Sequence, residues 1–382
     1  MIYLDHAATS WPKSPEVSAA MHDFLERAGG NPGRSGHKLS IEAARVIYDA
    51  RDALADLFGV QDPARVIFTL NATHALNLAI QGILQPGHRV ITGGMEHNAV
   101  MRPLRALEQR GLLLEVVPAE ADGSLSTQKF AAALQTPARL VILNHASNVC
   151  GTIAPVAEIA RLAHAAGAWV LVDAAQTAGS LPIHLPTLGA DMLAFTGHKG
   201  LQGPPGTGGL VLADNFDPAD LSPLVRGGTG SRSEFETQPE DLPDRYESGT
   251  PNGVGIAGLK AGVDWIQIRG LDALRAQEHA LALTLRQGLI GLPRVKVYGP
   301  ADLTASVAIV SFTVEEKQVS EIGLRLDNEF DILCRVGLHC APAAHRSLGT
   351  FPHGTVRLAI GPTTTPQDIT RTLSAIEWIV KT

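Results

Sequence analysis

Short, continuously apolar runs alternate with helical patterns from about residue 40 to residue 215. The runs lie at 65–69 (RVIFT), 89–93 (RVITG), 113–117 (LLEVV), 140–144 (LVILN), 169–173 (WVLVD), 192–196 (MLAFT) and 208–213 (GGLVLA). Unbroken apolar character suits strands covered on both faces, as in a mainly parallel sheet. Between the runs, Ile41, Ala44, Ile47, Leu54 and Phe58 recur at helical spacing, with the stem of Arg51 on the same stripe. A second helical pattern enters through Pro155 and stops at Gly167, a proline start and a glycine stop. A loop-rich stretch from 215 to 255 then reads either as a domain boundary or as the lining of a site. Beyond it come long helices at 254–268 and 271–289, an extended SVAIVSF, a helix near 317–330, two short extended runs and a last helix from Pro366. The expectation is an α/β fold: a large domain around a mainly parallel seven-stranded sheet, followed by a smaller α+β domain.

Composition narrows this. A chain of 382 residues suits about two domains. Hydrophobic residues make up 45%, enough for a large core, and charged residues only 18%, below the usual figure of roughly 25%. That deficit fits a big domain or a buried subunit interface. Thirty-one basic against 38 acidic residues give −7, which argues against a nucleic-acid-binding face. Three cysteines, none in a CxxC pair, fit a reducing compartment. The start MIYLDHAATSWPK has neither a basic nor an apolar leader region, and no apolar run is long enough to span a bilayer. The expectation is a soluble cytoplasmic protein with neither a membrane nor a nucleic-acid partner.

The candidate chemistry sits at strand ends, where ligands bind in open α/β sheets. The run WVLVD closes on Asp173, and MLAFT runs into Gly197-His198-Lys199-Gly200, carrying one of only eight lysines in the chain. Taken singly, the aspartate reads equally well as a helix cap, and the lysine is either solvated at a loop mouth or held in a cleft that lowers its pKa. Taken together they suit pyridoxal 5'-phosphate, whose carbonyl carbon needs an amine and whose ring nitrogen needs a carboxylate. RVIFT leads into Asn71-Ala72-Thr73-His74 and an apolar helix, a strand–turn–helix start suited to a phosphate. Thr196 and His198 flank the lysine as further donors, and His97 follows the strand RVITG with a flat ring. Singly, such a histidine is more often structural.

The chain resembles the pyridoxal-phosphate-dependent class V aminotransferase family of fold type I, and within it the cysteine desulfurase and selenocysteine lyase branch. The resemblance covers almost the full length. It rests on YLDHAAT (3–9), NPGRSGH (31–37), MEHNA (95–99), SNVCG (147–151), VDAAQ (172–176), TGHK (196–199), ESGTPN (247–252), RVGLHCA (335–341) and VRLAIGP (356–362). It implies that Lys199 is the Schiff-base lysine, Asp173 the pyridinium partner, Gln176 a donor to the ring hydroxyl oxygen and His97 the ring-stacking proton carrier. It further implies that Ala72, Thr73, Thr196 and His198 hold the phosphate, with Thr250 reaching in from a second subunit of a homodimer. Asn148 would sit beside cofactor and substrate, and Arg357 would clamp the substrate carboxylate, with Ala7 and Arg335 also on the substrate side. No metal is implied.

Cys150 and Cys334 read as inert core, whereas Cys340 lies in a loop-like Gly-Leu-His-Cys-Ala-Pro segment with basic neighbours. In the resembling desulfurases such a thiolate takes sulfur from L-cysteine as a persulfide and L-alanine leaves; L-selenocysteine is the alternative substrate. Keto-acid transamination would have no need for Cys340. A zinc site from Cys334, His339, Cys340, His345 and His353 matches no paired zinc spacing. The Gly-rich GGTGSR lacks the third glycine of a dinucleotide fingerprint. Against the family pattern, Thr364 stands where an asparagine is common, Leu338 where the branch often has histidine, and the cysteine segment is compact. A compact segment suggests slower intrinsic turnover, or dependence on a sulfur-acceptor protein. Residues 1–15 are expected as an arm on the small domain, 16–254 as the large domain and 255–382 as the small one.

Overall fold

The computed structural model describes residues 1–33 and 35–382; Arg34, inside the 31–37 motif, lies outside the described residues. Strand β1 spans Ile2–Tyr3. The large sheet follows as β2 (Val66–Thr69), β3 (Arg89–Gly93), β4 (Leu113–Val117), β5 (Leu140–Asn144), β6 (Trp169–Asp173), β7 (Met192–Thr196) and β8 (Gly208–Leu212). The strand order is β2-β8-β7-β6-β5-β3-β4, with β8 antiparallel to both neighbours and the rest parallel. The apolar runs become strands because helices cover both faces: every residue of β5, β7 and β8 is buried. At the edge, β4 exposes Leu113.

Register brings the chemistry into line. Asn144, ending β5, is paired with Asp173, ending β6, and Asp173 with Ala194 of β7. The loop after β7 carries Lys199 before the chain returns as β8, and the loop after β3 carries Glu96 and His97. One edge of the sheet thus collects the polar residues that a buried strand cannot carry in its middle.

The second sheet is antiparallel, with strands β9 (Val295–Tyr298), β10 (Ile309–Val314), β12 (Arg335–Gly337) and β13 (Thr355–Ala359) in the order β12-β13-β10-β9. Its core is separate and gathers Val310, Phe312, Ile322, Leu326, Leu358 and Ile376. The N-terminal arm adds to it: β1 pairs in parallel with β11 (Ile332–Leu333), and Ala359 N–H donates to the Leu4 carbonyl at 2.8 Å. The helix Gly253–Arg269 differs from the expected division at 254/255. Its Leu259, Val263 and Ile266 pack in the first core, while Leu281, Leu285 and Leu289 of the helix Leu271–Ile290 pack in the second. Gly270, with φ +80°, separates the two helices, and Leu274 just beyond it still packs in the first core, so the change of core falls within the second helix.

Arm and small domain meet at Gly361, where an added Cβ would stand 2.2–2.5 Å from the buried His6 ring. Gly361→Ala is expected to overpack this contact and cost about 1–3 kcal/mol in urea denaturation. An unchanged midpoint would show that the arm yields without cost.

Candidate active site

Lys199 follows the β7 strand end in buried surroundings that on balance oppose a free charge there. Burial pushes its ammonium down to about 8; Asp173 and Asp5 resist the shift, and Arg357 and Arg335 add to it. A lysine so poised exposes its lone pair near neutral pH, as nucleophilic amine chemistry requires. The chain holds the base of this residue firmly. The His198 carbonyl accepts from the Ser10 N–H (2.9 Å), Thr9 Oγ1 (3.0 Å) and Lys13 Nζ (3.1 Å), all from the arm.

Asp173 is 3% exposed, with Oδ1 accepting from the Ala175 N–H at 2.9 Å. It closes a turn and caps no helix. Burial raises its carboxyl, against the Ala175 N–H and the Lys199 charge. Glu96, next to His97 in the loop after β3, is fully buried. Its Oε1 accepts from the Asn144 N–H at 3.0 Å, while Oε2 has no partner among the described residues. Burial pushes Glu96 up to about 8, and the neighbouring Asp173 charge adds to the shift. Burial thus favours the protonated form of Glu96, while the Ala175 N–H and the Lys199 charge favour the ionised form of Asp173. Sequence reasoning passed over Glu96, since a glutamate in a loop motif looks solvated.

His97 caps the helix Asn98–Glu108: its Nδ1 accepts from the Ala99 N–H at 3.0 Å, so a neutral ring carries its proton on Nε2. Burial brings the imidazole down to about 4, helped by Lys199, Arg335, Arg102 and Arg357. Ala72 and Thr73 open the helix Ala72–Ile83, capped by Asn71 Oδ1 on the His74 N–H at 3.0 Å.

Arg357, on β13, is 1% exposed. Its Nη2 donates to Asp5 Oδ1 at 2.6 Å and its Nη1 to the Asn148 carbonyl at 3.0 Å, leaving Nε without a partner among the described residues. Thr364 takes the Gly361 N–H instead, so the arginine is supported by Asp5 and not by the segment that follows it. Asn148 donates from Nδ2 to the His339 carbonyl at 2.7 Å, and its Oδ1 is likewise unpartnered.

The cysteine turn joins β12 to the short helix Pro342–Ser347. His339 (φ +48°) and Cys340 (φ +58°) both occupy the left-handed region, a cost of order 1–3 kcal/mol each for side-chain-bearing residues. Two hydrogen bonds from the large domain fix them there: Asn148 to the His339 carbonyl, and the Asn98 N–H to the Cys340 carbonyl at 2.8 Å. Arg335 Nη2 donates to Cys340 Sγ at 3.6 Å. Cys340 is exposed, Cys150 is buried, and burial together with Asp5 pushes the Cys334 thiol up to about 12.

A cavity of about 200 Å³ brings together Ala72, Thr73, His97, Asn148, Asp173, Gln176, Thr196, His198 and Lys199. Thr250 is not among them; it is exposed and lines a separate cleft with Tyr48, Leu70 and Val225. Gln176 lines the cavity while its Nε2 donates to the Ala7 carbonyl at 3.1 Å, so its amide also secures the arm. Arg335 is turned to the sulfur. Thr196 Oγ1 and Asn148 Oδ1, buried and without a partner among the described residues, the helix start at Ala72, and Asp173 with Lys199 fit a phosphorylated heteroaromatic aldehyde.

Asn98 is the first helical residue after its cap, a position where proline is tolerated, and His97 already has a compatible ψ of 156°. Asn98→Pro is expected to release the Cys340 carbonyl, speed alkylation of Cys340 by a neutral reagent, and cost about 0.5–1.5 kcal/mol. Unchanged alkylation would show that this bond does not hold the turn. His97 and His145 are held down to about 4 and His339 to about 2, each chiefly by burial. Folded pKa values below the unfolded value of about 6.5 mean that the unfolded chain binds more protons as pH falls. Stability is therefore expected to drop from about pH 6.5 toward 4, with a slope approaching about 1.4 kcal/mol per pH unit for each such histidine. Urea midpoints across that range check it.

The family model described as aminotransferase class-V matches residues 2–372. A relative from Methanothermobacter thermautotrophicus, described as "Probable cysteine desulfurase", is 33% identical over 96% of this chain and 92% of its own. One from Dickeya dadantii, described as "Cysteine desulfurase", is 34% identical over 89% and 83%. The solved apo structure of a cysteine desulfurase from Thermococcus onnurineus superimposes with a TM-score of 0.92 at 32% identity, covering 100% of this chain and 94% of that one.

Proposed function

The chain belongs to the class-V aminotransferase family, and on that premise we propose that it is a cysteine desulfurase, converting L-cysteine to L-alanine and taking the sulfur onto Cys340 as a persulfide, with pyridoxal 5'-phosphate as cofactor. The observation that carries the reading is the exposed Cys340, pinned in a strained turn by Asn98 and Asn148, beside a cavity that pairs Lys199 with Asp173. An amine-exchange enzyme has no use for a cysteine held at such cost.

When bound, the cofactor supplies an electron sink conjugated to the substrate α-carbon. Lys199 would offer the amine for its aldehyde carbon, and Asp173 would keep its ring nitrogen protonated. Ala72, Thr73, Thr196 and His198 would hold its phosphate, and His97, Gln176 and Asn148 would hold its ring and the substrate groups beside it. Arg357, through its unpartnered Nε–H, takes the substrate carboxylate as a charge-assisted partner, beside Ala7. His97, neutral with its proton on Nε2, moves a proton at the substrate carbon. The Cys340 thiolate forms the S–S bond as the substrate Cβ–S bond breaks; the electron pair goes to carbon, which is protonated as alanine is completed. Arg335, on the sulfur, favours the charged nucleophile.

Thr250 completes a site only from another copy, and the exposed Tyr48, Leu70 and Val225 around it offer an apolar face for that pairing. We propose a homodimer; a monomer in sedimentation would contradict it. No helix among the described residues is long and apolar enough to cross a membrane. The proposed setting is the cytoplasm.

Purified, cofactor-loaded protein is expected to release alanine from L-cysteine under excess reductant, with Cys340→Ala reduced roughly a hundredfold or more. Equal alanine from both would remove Cys340 from the reaction. No alanine from wild type would move the reading to selenocysteine or to keto-acid exchange.

A further inference from the structure

A second chamber, of about 50 Å³, borders Lys199 where the arm, the large domain and the small domain meet. It shares Lys199 and Gln176 with the cofactor cavity, and no residue of the cysteine turn lines it. His6 and Ser10 enter it from the arm, and Arg275, Glu278 and His279 from the helix Leu271–Ile290. Its polar groups are short of partners. His6 is 8% exposed, and neither of its ring nitrogens has a hydrogen-bond partner among the described residues; nor has the buried His279 Nε2. Glu278 makes no hydrogen bond or ion pair among the described residues, even with Arg275 on the same helix. Buried polar groups of this kind are met by water. The chamber has room for a few waters, since one needs at least about 10–15 Å³.

We propose that this chamber carries protons between Lys199 and Glu278 along a short file of water, with His6 as a relay in it. The proposal rests on the reading of Lys199 as the amine that meets the cofactor. Such an amine sheds a proton before its lone pair can form a bond to carbon, and takes one back when that bond breaks. The Nζ–H bond breaks as an O–H bond forms on the adjoining water; each member passes a proton onward, and the last transfer forms the O–H bond of the Glu278 carboxyl. The return runs the same bonds backward, and no other reactant is consumed. Glu278 is only partly covered, so its carboxyl can exchange with solvent, yet the protein packed around it pushes that carboxyl up to about 8. Burial brings Lys199 down to about 8 as well, so transfer between the two is close to even. His6, held down to about 4 by burial and by Lys13, stays a neutral ring with one donor and one acceptor. Arg275 and His279, the other ionisable groups of the chamber, lie on the Glu278 helix.

Pyridoxal 5'-phosphate joined to a lysine absorbs differently when the lysine nitrogen is protonated, so stopped-flow pH jumps on the cofactor-loaded full chain, in dilute buffer, read that proton directly. E278Q is expected to slow the relaxation about tenfold or more, with added formate restoring it and E278D keeping most of the wild-type rate. H6L, which removes both ring nitrogens, should slow it likewise. The equilibrium midpoint should stay in place in E278Q, because Glu278 is not among the charges that act on Lys199. A wild-type rate in E278Q would overturn the relay by showing that protons pass elsewhere. A slowed rate accompanied by a shifted midpoint would overturn it by reducing Glu278 to a charge effect, and a defect that formate does not relieve would reduce it to a structural one. A wild-type rate in H6L would overturn the part given to His6. No absorption band on adding the cofactor to wild type would overturn the cofactor reading beneath the proposal.

Discussion

A guanidinium that is 1% exposed cannot be left to water, and the placement of Arg357 governs how the parts of this protein meet. Its charge is answered by Asp5 from the N-terminal arm and by the Asn148 carbonyl from the large domain, while its own strand belongs to the small one. Three distant pieces of chain are thereby aligned on one planar group. Breaking a buried pair by removing one partner typically costs 3–5 kcal/mol, because the other charge stays behind. The same group keeps its Nε–H without a partner among the described residues, so the residue that orders the domains also retains capacity for an anion.

The cysteine turn depends on that alignment. The large-domain groups that grip His339 and Cys340 come from Asn148 and Asn98, one of them on the residue whose carbonyl anchors Arg357. Two consecutive left-handed residues persist only when their surroundings over-determine them, and here each carbonyl is held from across the domain boundary. Cys340 is thus exposed but not loose. Cys334, close by in sequence, is withdrawn from reactivity by burial and by the charge of Asp5.

The sheet and the pairing of Lys199 with Asp173 were legible in the sequence because buried strands leave unbroken apolar runs and their ends carry the first polar residue. Most of the cavity followed from the motifs at those ends. What could not be read were contacts made only by tertiary packing. Asp5 and Arg357 lie 352 residues apart. Glu96 gives no sign in a loop motif that it is fully buried. Gln176 turns to Ala7 and Arg335 to the sulfur, choices that depend on neighbours from other elements. The helix Gly253–Arg269 begins with small residues and shows no single apolar stripe, so its packing in the first core leaves no mark in the sequence.

A reactive sulfur held in a fixed turn changes what limits throughput. A long mobile loop carries its cargo outward and can unload at a distance, which makes delivery a first-order event of the enzyme. Here both flanking carbonyls are tied down, and the cargo stays where it was loaded. On the desulfurase reading, emptying is a second-order event set by how often a recipient arrives, and an unvisited enzyme fills once and stalls. Such a protein meters sulfur by demand, and its output reports the abundance of the recipient more than that of its own substrate.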